Sequence, residues 1–277
     1  MSTVEFPEKD ESTGEVMVGF LGPNCIDLKS AAVLQTIGAF LAGSSVSVLE
    51  SQLVECEDPV ASSAIFYVED RPNTLIWLQL TSVPTKRLAE AEKRLFSVLK
   101  KTVSEPLDFG YMQECLRRTK RQRKYNVESS GEYFSTPIII DHLFGERDGS
   151  TLKNLETLSI FDELEKWSES DWREFLRKWV ADNDHVSILG RPSAKLAKKI
   201  EEDEKARIAA RKVKLGEEGL KKLQKKLEEA GAENDKEIPK ELLGKFPVPG
   251  VESIHYIKTQ VRSVNLLRSR KYADHPF

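Results

Sequence analysis

Apolar and polar positions alternate loosely over Glu15–Pro23, EVMVGFLGP, and the run closes on Gly-Pro. A two-residue period ending in a turn dipeptide predicts a strand and a turn. Asp27 then precedes LKSAAVLQTIGAFLAG, in which Leu28, Ala31, Ala32, Gln35 and Ala39 trace one side and Leu34, Ile37 and Leu41 widen the apolar band. That pattern predicts a helix capped by Asp27, ended at Gly43 and laid against a sheet. SSVSVLESQLVEC reads as a second, shorter helix capped by Ser44 or Ser45.

Two runs rich in β-branched and aromatic residues follow, SSAIFYVED and TLIWLQLTSV, with Arg71, Pro72 and Asn73 between them. Such a pair predicts a hairpin or meander. In PTKRLAEAEKRLFSVLKKT, Leu88, Ala91, Leu95, Val98 and Leu99 share one stripe of a helix. Leu107–Val180 reads mostly helical, broken at Ser130 and Gly131 and less regular through STPIIIDHLFGERDGS. Ser168 with Asp171 three residues on approximates a capping box, and Trp172, Phe175, Leu176, Trp179 and Val180 form the buried face behind it. HVSILG then reads as a strand returning to the same sheet, closing the body at Gly190. The order predicts an α+β fold with a largely antiparallel sheet covered by helices. The domains read as 15–190 for this body, 191–245 for a charged helical hairpin, and 246–277 for a tail. The tail holds the strand-like VESIHYIKTQV and either pairs with the first sheet or opens a following domain.

Within 191–245, AKKIEEDEKARIAARKVKLGEEGLKKLQKKLEEA is almost wholly charged residues, Ala, Leu and Ile. Its apolar stripes are too short for the three or more clean heptads of a coiled coil. Gly216 and Gly219 predict a break, giving two solvated helices that act as a strut. Glu201 and Lys205 form a favourable i,i+4 pair, worth about 0.2–0.5 kcal/mol.

Composition narrows the function. The 277 residues carry a net charge of −3, so no global field draws the chain to nucleic acid or anionic lipid. Cys25, Cys56 and Cys115 lie in separate segments without CxxC spacing and read as reduced thiols. The chain shows neither a membrane-length apolar run nor a signal-like start, which places it in a reducing interior, the cytoplasm. A mitochondrial location would need a transit segment upstream. No G-x-G-x-x-G, G-K-[ST] or G-x-S-x-G pattern occurs. Asp141, His142, Glu146, Arg147 and Asp148 could be drawn as a metal site, but they read better as a charged loop. RRTKRQRKY, Arg117–Tyr125, is the strongest basic patch. It reads as a solvated helix face flanked by Glu114 and Glu128, with attraction for an acidic peptide or a neighbouring lobe as the intermediate reading and nucleic-acid binding as the remaining alternative. Cys56, between Glu55 and Glu57, reads as unreactive. Trp77 reads as core, and Trp167, Trp172 and Trp179 as packing anchors.

The stretches Ile37–Asp70 and Asp182–Glu229, together with FPVPGVESIHYI, resemble the pitrilysin/insulinase-type (M16) zinc metallopeptidases, in particular their presequence-protease-like branch. The resemblance spans Glu15–Val264. It implies the second of four similar α+β lobes, the helical hairpin joining the enzyme's halves and the entry to a third lobe. It also implies an inverted His-x-x-Glu-His zinc motif with a distal Glu ligand in the first lobe. This sequence departs from that motif: Gly145 stands three residues after His142, and His185, His255 and His275 lack it equally. No catalytic, cofactor or metal residue is therefore assigned to the chain, and zinc is expected in a longer parent. The implied partners are the parent's other lobes and its peptide substrate, with no nucleic acid and no membrane. An independent α+β protein–protein interaction module is the alternative.

Overall fold

The computed structural model describes residues 1–129, 132–151 and 158–245. The chain divides into two compact units, Met1–Ala209 and Ala210–Phe277. In the first unit β1 (Ser2–Pro7) and β2 (Thr13–Asn24) precede α1 (Leu28–Ala42) and α2 (Val48–Leu53). The hairpin β3 (Ser63–Glu69) and β4 (Asn73–Pro84) leads through one 3-10 turn into α3 (Leu88–Ser104). Then come α4 (Phe109–Ser129), α5 (Glu132–Phe144), α6 (Leu158–Leu164), α7 (Glu169–Leu176) and β5 (His185–Ser193).

The strands form one five-stranded sheet in the order β1-β5-β2-β4-β3. Every pairing is antiparallel except β1 with β5, which is parallel. The expected α+β architecture is thus the observed one, with one strand more than the apolar pattern predicts. β1 has no buried position, so its residues carry no core signal, and its Pro7 suits an edge.

Alternation along the strands sorts the side chains to two faces. Val16, Val18 and Phe20 of β2 and Ile76, Leu78 and Leu80 of β4 point to the helices and are buried. There they join Leu34, Ile37 and Phe40 of α1, Leu95 and Leu99 of α3, and Trp172 and Leu176 of α7. Burying each such side chain contributes about 1.5–3 kcal/mol. Ser187 is a buried polar residue on the core face of β5, and its hydroxyl donates to Glu92 Oε1 of α3 at 2.8 Å.

Local signals explain most of the helix ends. Asp27 caps α1: Oδ1 accepts from Ser30 N at 3.1 Å and Oδ2 from Ser30 Oγ at 2.6 Å. Asp27→Ala is expected to lose about 1 kcal/mol of unfolding free energy in urea titration, and an unchanged midpoint would show that the cap contributes nothing. α2 starts later than expected, with Ser47 rather than Ser44 or Ser45 at its N-cap. Ser47 donates its hydroxyl to the carbonyl of Ser44, so the three serines form a turn ahead of the helix. The box at Ser168 is complete: Ser168 Oγ accepts from Asp171 N at 3.3 Å, and Asp171 Oδ2 accepts from Ser168 N at 2.8 Å. After α7 the chain widens into a π turn, Arg177–Ala181, before β5.

One segment read as irregular is helical. α5 spans Glu132–Phe144 with Pro137 inside it, past the first turn, where a proline forgoes one intrahelical hydrogen bond. The break expected at Ser130 and Gly131, and the tail 246–277 with its predicted strand, lie outside the described residues.

Past β5, α8 (Ala194–Asn234) contains no buried residue. Its helical backbone is interrupted at Gly216, with φ 61° and ψ −179°, a conformation open essentially to glycine alone. Gly219 stays within the helix, so one of the two glycines makes the break. A short α9 (Lys240–Leu243) ends the described chain.

Candidate functional site

Among the described residues, no helix covers the sheet's second face. Register places Val4 of β1, Val186 and Ile188 of β5, and Met17 and Leu21 of β2 on it. Leu75 and Trp77 of β4 and Ile65 and Tyr67 of β3 continue the same surface. Val186 is 63% exposed and Leu21 61%. Isolated exposed apolar residues need no explanation, but a continuous apolar surface across five strands marks an interaction surface. Polar groups are sparse on it: Gln79 Nε2 donates to Glu15 Oε2 at 2.9 Å, Ser63 and Thr81 share a hydroxyl contact at 2.8 Å, and Arg71 pairs with Glu69 at 3.1 Å.

Trp77 belongs to this surface and not to the core. Odd-numbered β4 positions up to Thr81 face away from the helices, which the alternation of TLIWLQL shows once the buried Ile76, Leu78 and Leu80 are fixed. The remaining tryptophans do anchor packing. Trp172 is fully buried, Trp167 meets it edge-on at 5.0 Å between centroids, and Trp179 packs with Phe175.

A cleft of about 450 Å³ opens on the helical side, between the α1–α2 connection and the α3–α4 connection. Phe40, Val98, Leu107 and Tyr111 line it, with Lys101 and Glu105 at the rim. Its polar groups do not converge on a common point: Asp108 Oδ1 caps α4 through Tyr111 N, and the Tyr111 hydroxyl contacts Ser44 Oγ at 3.0 Å.

The residues weighed as a metal site are committed elsewhere. Asp141 accepts the Thr151 hydroxyl, and Asp148 Oδ1 accepts Ser150 N at 2.9 Å, which together with the Ser150 hydroxyl holds its carboxyl below the usual range. Arg147 donates to the His142 carbonyl. Among the described residues no three His, Cys, Asp or Glu side chains come together as metal ligands. The donor set of a zinc centre is not assembled among them.

The basic patch on α4 is largely engaged. Arg117 and Arg121 reach Glu114 at 2.9 and 3.2 Å, and Lys120 bridges Asp162 of α6 and Glu165 just past its end at 2.6 and 2.7 Å. Such surface pairs add little stability, but they leave fewer cations for an external polyanion. All three cysteines are free thiols. Burial pushes the Cys25 and Cys115 thiols up, the wrong direction for a nucleophile, while Cys56 Sγ lies 4.0 Å from the Arg94 guanidinium. No described helix is long and apolar enough to cross a membrane.

The fold is that of the M16, pitrilysin-like, peptidase domains. It superposes on an M16 peptidase inactive domain from Pseudomonas fluorescens with a TM-score of 0.50 and 15% identity, over 69% of this chain and 43% of that one. It superposes on a protease from Helicobacter pylori with a TM-score of 0.50 and 18% identity, over 69% of this chain and 44% of that one. No protein-family model matches the chain. In sequence it is 32% identical to an uncharacterized protein of Saccharomyces cerevisiae, over 98% of this chain and 26% of the relative. A Schizosaccharomyces pombe protein, also uncharacterized, is 31% identical over 92% of this chain and 25% of that relative. The chain spans about a quarter of the length of the curated relatives it matches. The fold thus resembles an M16-peptidase lobe, and its described residues hold no metal cluster.

Proposed function

We propose that this chain is the non-catalytic second lobe of a zinc metallopeptidase that degrades peptides, of the presequence-protease-like kind. In this reading residues 15–190 wall part of the substrate chamber, 191–245 join the two halves of the enzyme, and 246–277 enter the next lobe. The single observation that carries it is the open apolar sheet face, a wide surface on a lobe whose described residues bring no metal cluster together. The relatives' length, about four times this chain, leaves room for the lobes that would supply the zinc ligands. The glycine break in the exposed α8 fits a hinge between halves, where opening would admit substrate and closing would exclude water.

The test compares the full-length protein with this 277-residue chain on unstructured peptides. Full-length protein is expected to cleave them, to lose at least about a hundredfold of its rate under a zinc chelator, and to recover it with added zinc. The chain alone is expected to cleave nothing. Chelator-sensitive cleavage by the chain alone would overturn its non-catalytic assignment, and an inert, zinc-loaded full-length protein would overturn the peptidase reading.

A further inference from the structure

On the bare sheet face, Trp77 stands directly across from Gly19 on one neighbouring strand and from Tyr67 on the other. Gly19 is what lets the indole approach the sheet: a Cβ built there would lie 2.8 Å from Trp77 Cζ3. The ring therefore reaches from β4 across β2. Tyr67 continues it towards the sheet edge, its ring tilted by only 21° from the indole with centroids 6.2 Å apart. At that separation the rings are offset neighbours and not a closed face-to-face stack, so they form one broad aromatic surface, and Tyr67 is 38% exposed.

Carboxylates flank this surface along the strand direction. Glu69 is the cross-strand partner of Leu75, two residues before Trp77, and Glu15 is held by Gln79, two residues after it. Glu69 is answered by Arg71, while among the described residues Glu15 meets the neutral amide of Gln79 and no cation. An extended chain laid along β4 sends every second side chain down, about 7 Å apart, which matches the spacing of Leu75, Trp77 and Gln79.

We infer that Trp77 and Tyr67 form a subsite for one aromatic or long aliphatic side chain of an extended peptide, with a basic residue two positions away held by Glu15. This rests on the chamber reading and adds which side chains the wall selects. Single-stranded nucleic acid, the other polymer that stacks on flat aromatic surfaces, is opposed by the same carboxylates.

The test uses the full-length protein, chelated so that nothing is cleaved, and three labelled twelve-residue peptides read by fluorescence anisotropy. One has a central Phe with Arg two positions to either side; the second replaces the Phe with Ser; the third replaces both Arg with Glu. The Phe/Arg peptide is expected to bind at least about tenfold more tightly than either other. In Trp77→Ala the Phe-over-Ser preference is expected to fall below about threefold, and in Trp77→Phe to persist. A Trp77→Ala protein that folds and discriminates like the wild type overturns the subsite. So does one whose only change is in oligomeric state or lobe association, since another protein surface would then cover this face. Discrimination by a protein that cleaves no peptide after zinc is restored keeps the subsite and removes the peptidase reading. Cleavage with unchanged sequence preference in Trp77→Ala does the reverse.

Discussion

Trp172→Ala is expected to cost about 3–5 kcal/mol of unfolding free energy, the range for removing a large aromatic from a packed core. The indole is wholly buried on α7, on the residue directly after the Ser168–Asp171 box. Trp167 packs edge-on against it and Leu176 follows it one turn later on the same helix face. Alanine would leave a cavity that α7 could close only by dragging the π turn Arg177–Ala181, which leads into β5. Trp172→Phe is expected to cost much less, about 1–2 kcal/mol. The indole N–H reaches no acceptor among the described residues, so phenylalanine removes an unpaired buried donor along with the lost volume. Denaturant titration of both variants gives the comparison. An alanine variant within about 1 kcal/mol of wild type would mean that this corner is already loose.

How much of this was legible in the sequence depends on whether an element carries its own burial signal. β2, β4, α1 and α3 each bury one periodic face, so Val16, Val18, Phe20 and the Leu88–Ala91–Leu95–Leu99 stripe announce strand and helix directly. Asp27 and Ser168 announce helix starts because capping is chemistry within four residues. β1 announces nothing: its partner β5 lies more than 180 positions away, and no side chain of it is buried. The bare face was hidden for a related reason. TLIWLQLTSV is apolar on both sides, which reads as a strand buried twice, and only the placement of the helices shows which side is covered. Trp77 was accordingly read as core, although the period of two already put it opposite Ile76 and Leu78. STPIIIDHLFGERDGS shows no clean period, yet its first part, through Phe144, is helical in α5.

Gly14→Ala is the second large effect, and it separates a backbone obstacle from a side-chain one. A Cβ at residue 14 would lie 2.2 Å from the carbonyl oxygen of Gly190, with Leu88 Cδ2 and Pro192 Cδ each at 3.3 Å. That oxygen belongs to β5, whose Gly190 is paired with Glu15 on one side and with Val4 of β1 on the other. The opposite flank is no freer: β4 carries an irregularity facing Gly14–Val16, with Ser82 at φ 51°. Relief therefore requires β5 to move and the β1–β5 ladder to shift with it. The expected cost is about 3 kcal/mol or more, the upper end for overpacking, with faster amide exchange across β1. Gly19→Ala, on the same strand, meets the edge of the Trp77 ring at 2.8 Å, and an indole on an open face can tilt away. Its expected cost is about 1 kcal/mol. Equal losses for the two variants would show that the sheet yields at Gly190 as readily as the indole does. The parallel edge strand would then be held too weakly for the five-stranded face to act as one rigid wall.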